Sequence, residues 1–261
     1  MPSVVSSGVV IEYEAYGVGR PAFLLIHGWS CERGSMRSLA RLLAPHGRVV
    51  NVDLREHGGS GGLGDYDKDD VVGDLAAVVA SERLDDVVIV GHSLGAKFAL
   101  ACGQRRAGLA SALVLLDTSI VESDERRSRR MAELDESDGR DRRARVEAMF
   151  LPSDNAAERE ALISAMVAVP PPVGRRALVA GDGIDTAGAL RDCRVPVLYV
   201  GADQPRESVD VMRALQPKLE YRRLPGVGHF VQVFAAEAVA SEIISFVTRA
   251  GLGAGDNRLS P

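Results

Sequence analysis

Apolar, β-branched runs recur along the chain at VVIEYEAY (9–16), AFLLIHG (22–28), RVVNVDL (48–54), DVVIVGH (86–92), SALVLLDT (111–118), VPVLYVGA (195–202) and LEYRRLPG (219–226). Several are apolar at consecutive positions instead of alternating, as strands are when both faces of a parallel sheet are covered. Between them, apolar residues fall at helical spacing over 36–43, 71–84, 94–105, 208–215 and 234–247. Strand and helix therefore alternate, which predicts an α/β chain with a doubly wound, mostly parallel sheet.

Residues 120–190 break this rhythm. Acids and arginines crowd the stretch from Glu122 to Glu147; apolar positions at helical spacing follow, among them Met149, Phe150, Leu162, Ile163, Met166 and Val167, and then Pro170 to Pro172. A charge-laced helical insertion between two strands is expected to lie over one end of the sheet as a small helical cap. The division that follows is a core of residues 1–119 and 191–250, a cap of 120–190, and a Gly-rich polar tail, 251–261, read as disordered.

Composition narrows the function classes. Of 261 residues, 46% are hydrophobic and 26% charged, as in a soluble globular enzyme. A net charge of −5 gives no general attraction to nucleic acid or an anionic membrane. Cys31, Cys102 and Cys193 are odd in number, widely spaced and without a metal-ligand pattern, so they read as thiols in a reducing compartment. No Lys or Arg precedes Arg20, and Glu12 and Glu14 interrupt the apolar residues, so no secretory leader is expected; no apolar run approaches the roughly 18 residues of a membrane span. The expected setting is the cytoplasm, and the expected partner is a small molecule; the oligomeric state is left open.

The chemistry concentrates at GHSLG, Gly91 to Gly95, a G-x-S-x-G sequence placed after VVIV and before an apolar helical stretch. A nucleophile at the tip of so tight a strand-to-helix bend needs glycine two residues before and two after it, because side chains there would collide. Ser93 is thereby lifted clear of the sheet. The N–H of Leu94 opens the next helix, where free donors favour an oxyanion. A second donor is expected from the N–H of Trp29, after Gly28 in FLLIHGWS.

A serine hydroxyl requires a base to take its proton. Of the five histidines, His92 adjoins the nucleophile and should point away, His27 sits at a strand-to-loop junction, His46 at a helix end and His57 in a Gly-rich loop. His229, in LPGVGHF after the last predicted strand, can reach across the top of the sheet. The base in turn needs a carboxylate to orient it. Asp203, in VPVLYVGADQP, is the first choice and Asp117, ending ALVLLD, the fallback; Asp182 and Asp185 belong to a turn-like AGDGID.

These motifs, HGWS (27–30), DLREHGGS (53–60), GHSLG (91–95), GADQ (201–204) and GVGHF (226–230), together resemble the α/β-hydrolase superfamily over nearly the whole chain. Two departures stand out. Glu56 occupies a position where glycine is usual, and the acid loop reads GADQPRES where members commonly have a pattern like GDxDxxVP. The resemblance implies an eight-stranded sheet, a Ser-His-Asp set and a cap between the sixth and seventh strands. It is closest in kind to small bacterial haloperoxidase-like, carboxylesterase and C–C hydrolase members. An aspartate stands at the elbow of haloalkane dehalogenases and epoxide hydrolases, so Ser93 speaks against both.

The expected activity is hydrolysis of a small or medium ester, thioester or lactone through an acyl-enzyme on Ser93, without cofactor or metal. Met149, Phe150 and Met166 are the expected pocket residues. Two alternatives are a cofactor-independent dioxygenase using His229 as base and a ligand-binding hydrolase homologue of low turnover.

Overall fold

The computed structural model describes residues 1–105, 108–136 and 139–253. Its strands are β1 (Ser3–Ser6), β2 (Val9–Tyr16), β3 (Ala22–Ile26), β4 (Arg48–Val52), β5 (Val87–His92), β6 (Ala112–Leu116), β7 (Val197–Gly201) and β8 (Glu220–Arg223). Its helices are α1 (Arg37–Leu43), α2 (Lys68–Ser81), α3 (Leu94–Arg105), α4 (Asp124–Glu136), α5 (Gly139–Glu147), α6 (Ala156–Ala168), α7 (Pro171–Asp182), α8 (Thr186–Arg191), α9 (Val209–Leu215), α10 (Val231–Phe234) and α11 (Ala236–Arg249). The strands form one sheet in the order β1-β2-β4-β3-β5-β6-β7-β8. Pairing is parallel from β4 through β8 and antiparallel only at β1–β2 and β2–β4.

Every residue of β3, β5, β6 and β7 is buried, as the unbroken apolar runs require of strands covered on two sides. The pleat sends alternate side chains to opposite layers. Leu24, Ile26, Ile89, Leu113 and Tyr199 enter one core with residues of α2, α3 and α8, including Leu75, Phe98 and Leu190. Phe23, Leu25, Val90, Val114 and Val200 enter the other, with Leu39 and Leu43 of α1 and Val239, Ile243 and Phe246 of α11. A third cluster joins Val146, Phe150, Ile163 and Met166, from the stretch between β6 and β7, to Cys31 and Phe230.

The hydrophobic runs do not announce β1, an exposed edge strand with one buried residue. What specifies it is the Ser7-Gly8 pair, both at positive φ (46° and 81°), the backbone shape that closes a two-residue hairpin. The tail expected at 251–261 lies, from residue 254, outside the described residues.

The 53–60 loop is fixed from within. The Asp53 carboxylate accepts from the backbone N–H of Arg33 (2.6 Å) and Gly59 (2.8 Å) and pairs with the Arg33 guanidinium. Arg55 is clamped by Asp74 of α2 at 2.7 and 2.9 Å, with side chains only 6% and 4% exposed. Glu56 takes the left-handed conformation (φ 62°) that a glycine would adopt without strain. Its carboxylate accepts from Arg176 Nε of α7 at 2.8 Å, an ion pair that glycine could not make. Since Asp74→Ala would leave the buried Arg55 charge with only the more distant Asp70, at 3.6 Å, it should lower stability by about 3 kcal/mol; chemical denaturation of the two proteins measures the difference.

Candidate active site

The bend at 91–95 closes because it has no room for side chains. A Cβ on Gly91 would strike the backbone of Gly95 and Ala96, and one on Gly95 would strike the carbonyls of Ile26 and His27 at the end of β3. Ser93 is held at φ 51°. Its N–H donates to Leu116 O (2.9 Å), and its carbonyl accepts from the Thr118 hydroxyl (2.9 Å). Leu94 is the first residue of α3, so its N–H is among the donors that no helical carbonyl satisfies.

His229 lies in the loop after β8, and its Nδ1 is 2.7 Å from Asp117 Oδ2. Register explains the choice of carboxylate. His92 is level with Leu116, and Leu116 with Val200, so Asp117 is the first residue past β6 just as Ser93 is the first past β5. Asp117 N–H donates to Val200 O (2.9 Å). Its other oxygen, Oδ1, accepts from the N–H groups of Ala202 (3.1 Å) and Arg206 (3.2 Å). The GADQPRES loop therefore cradles a carboxylate and does not supply one. Asp203, the first choice from sequence, sits two residues beyond β7 with a side chain 38% exposed, and its carboxylate binds Arg223 at 2.6 Å. Asp117, 1% exposed, is the carboxylate brought to His229.

The remaining histidines separate by environment. His27 Nε2 accepts from Leu54 N–H (3.1 Å), His57 is buried against the Arg55 carbonyl (2.9 Å), and His46 is exposed. His92 packs against His229: its ring lies 4.7 Å from that of His229, and its Nε2–H donates to the His229 carbonyl (3.0 Å), fixing the loop that carries His229. Burial first, and then the neighbouring His229, keep His92 neutral.

A cavity of about 390 Å³ opens over Ser93, His229 and Leu94. Trp29, Met149, Met166, Leu178 and Phe230 form its apolar lining. Phe150, expected there, is instead stacked behind it on Phe230 at 4.5 Å. The Trp29 loop is tied to the helices between β6 and β7: Trp29 Nε1–H donates to Gly174 O (3.0 Å), and the buried Arg142 donates to Ser30 Oγ (3.2 Å) and Met166 O (3.0 Å). Cys31 also borders the cavity, but burial pushes its thiol up to about 12, leaving it protonated and a weak nucleophile. Among the described residues no group of three or more His, Cys, Asp or Glu is arranged to hold a metal ion.

Two charges compete over His229. Burial lowers its pKa to about 4 and the Arg206 cation pushes in the same direction, outweighing the opposing pull of Asp117. Arg206 Nε lies 2.9 Å from Nδ1, yet Nδ1 cannot donate to Asp117 and accept from Arg206 at once. The shorter bond to a carboxylate assigns Nδ1–H to Asp117, leaving Nε2 as a neutral acceptor. An imidazole so placed stays neutral above about pH 4. Replacing Arg206 by Met removes a cation that opposes imidazolium formation, so the His229 pKa should rise; Asp117→Asn removes the supporting anion and should lower it. An NMR titration of the His229 ring reads both shifts, and no change in Arg206→Met would contradict this electrostatic account.

The family model described as the alpha/beta hydrolase family matches residues 23–242. A non-heme haloperoxidase from Rhodococcus erythropolis is 43% identical over 98 residues, 36% of this chain and 35% of that protein. A pimeloyl-[acyl-carrier protein] methyl ester esterase from Nitrosospira multiformis is 34% identical over 114 residues, 42% of this chain and 43% of that protein. These matches thus span about a third to two fifths of the curated relatives. Among solved structures, the enol-lactonase from Burkholderia xenovorans LB400 superposes with a TM-score of 0.84 at 18% identity, covering 95% of this chain and all of that one. With the matched model spanning most of its length, the chain belongs to the alpha/beta hydrolase family.

Proposed function

We propose that this protein is a serine hydrolase that cleaves a small or medium ester, thioester or lactone through an acyl-enzyme on Ser93. The observation that carries the reading is the 2.7 Å bond from His229 to Asp117 at the cavity that Ser93 also borders. His229 Nε2 accepts the Ser93 proton as Oγ attacks the substrate carbonyl carbon. The oxygen gains negative charge within reach of the N–H groups of Leu94 and Trp29. The C–O or C–S bond to the leaving group then breaks, and His229 returns the proton to that group. Water, deprotonated by the same imidazole, attacks the acyl carbon, Ser93 Oγ leaves, and the proton passes back to it. Asp117 holds the imidazole in the Nδ1–H tautomer and supports its transient charge.

In this reading residues 120–190 act as a cap, with Met149, Met166 and Leu178 forming the apolar wall for the acyl or alcohol portion. Among the described residues no helix is long and apolar enough to cross a membrane. The acidic net charge and the thiols without a disulfide among the described residues support a cytoplasmic setting.

The test uses p-nitrophenyl esters and a fluorophosphonate label. Ser93→Ala should lose roughly 10³-fold or more in kcat and all labelling, and Asp117→Asn about 10²-fold or more. Asp203→Asn should stay within about twofold of the parent, since Asp203 touches Arg223 and not the base. Full turnover in Ser93→Ala would overturn the acyl-enzyme. Oxygen uptake with a hydroxyquinolone-type substrate and no ester hydrolysis would replace it with dioxygenase chemistry, and a wild-type site that neither labels nor turns over would indicate a binding protein.

A further inference from the structure

A chain of net charge −5 lines the cavity over Ser93 with cations. Lys97, Arg126, Arg129, Arg130, Arg145 and Arg206 border it, against one lining carboxylate among the described residues, Glu122. Three of these come from α4 at positions i, i+3 and i+4, the spacing that places side chains on one helical face. Arg127, on another face of the same helix, pairs with Asp124 at 3.7 Å and does not border the cavity.

The cations are unequally matched. Lys97 and Arg130 share Glu122 and Asp182 at 2.9 to 3.8 Å, two positive charges closed by two negative ones. Arg129 reaches Glu125 at 3.0 Å. Arg126 has no carboxylate within ion-pair distance among the described residues, and Arg206 reaches only Asp117, at 3.8 Å, a carboxylate already bonded to His229 and two backbone N–H groups. Arg126 and Arg206 repel one another electrostatically, an effect that adds to burial in disfavouring the Arg206 charge. Two guanidinium groups at the mouth of a cavity with apolar walls, with spare donors and one sign of charge, are suited to a planar or tetrahedral oxyanion.

We infer that the substrate of this site carries an anionic group, a carboxylate or a phosphate monoester, which Arg126 and Arg206 bind while its apolar portion lies on Trp29, Met149 and Met166. The inference rests on the proposed hydrolase reading only for which bond is cleaved; the charge preference belongs to the cavity itself. Lined by cations, the cavity also concentrates anions from solution, so the preference weakens with salt.

Trp29 is the only tryptophan and borders the cavity, so its fluorescence reports occupancy without turnover. In a Ser93→Ala background, monomethyl adipate, methyl hexanoate and monobutyl phosphate are titrated against this signal. One or both anions should bind about tenfold more tightly than the neutral ester; which one does so identifies the anion. The anion-to-neutral ratio should fall toward one in Arg126→Gln and with added sodium chloride, and remain high in Arg127→Gln, which removes the same charge from another face. Equal affinity for neutral and anionic ligands, or equal effects of the two arginine changes, would overturn the inference. Ester hydrolysis by the Ser93-intact protein is scored separately, so a failed hydrolase reading leaves the binding ratio interpretable.

Discussion

The site depends on how closely the start of α3 approaches the ends of β3 and β5. With glycine at 91 and 95 the chain turns from strand to helix in the space of one residue, and that residue is Ser93. The contact also locks the neighbouring strand ends. Ser93 N–H holds Leu116 O, Thr118 holds the Ser93 carbonyl, and Asp117 N–H holds Val200 O, so one line of hydrogen bonds runs across β5, β6 and β7 at the level of the cavity. Beyond β3, β5 and β6, the non-glycine residues Ser30, Ser93 and Asp117 sit at positive φ of 51°, 51° and 39°. Strain of about 1–3 kcal/mol for each such residue persists only where surrounding contacts enforce it, and here the contacts belong to the sheet edge itself.

What could be read from sequence was what local pattern encodes. Continuous apolar runs announced the buried strands because both faces of β3, β5, β6 and β7 are covered. The elbow was legible because its steric demand falls on residues 91 and 95 of the same short segment. His229 could be singled out by elimination and by its place after the last strand. The carboxylate could not be fixed that way. Asp117 and Asp203 both follow apolar strands on the same edge, and what separates them is register: 117 falls level with 93, while 203 lies two residues beyond β7 and turns outward to Arg223. A count of residues past each strand end was the available signal, and it favours the aspartate that directly follows ALVLL. Phe150 shows the other limit, since helical spacing marks it as buried but does not say whether it faces the cavity or Phe230.

Glu56 illustrates how a departure from a family pattern is absorbed. The left-handed backbone of the loop is retained, at φ 62°, and the cost of a side chain there is offset by a contact that only a long carboxylate can make, to Arg176 of α7. The change at the acid loop has the same character. In the loop after β7, residues 202 and 206 present N–H groups, and the negative charge they bind comes from the neighbouring strand end. The Asp117 carboxylate, at the end of β6 between β5 and β7, lies at hydrogen-bond length from His229.

The helices between β6 and β7 are attached to the core at the loops that shape the cavity. Trp29 to Gly174, Arg142 to Ser30 and Arg176 to Glu56 connect them to the loop after β3 and to the 53–60 loop. The same helices provide the apolar wall through Met149, Met166 and Leu178 and the arginine face of α4. The loop that carries Trp29 is thus positioned by two of these helices through side chains: α7 accepts the Trp29 indole N–H on the Gly174 carbonyl, and α5 reaches the Ser30 hydroxyl with Arg142.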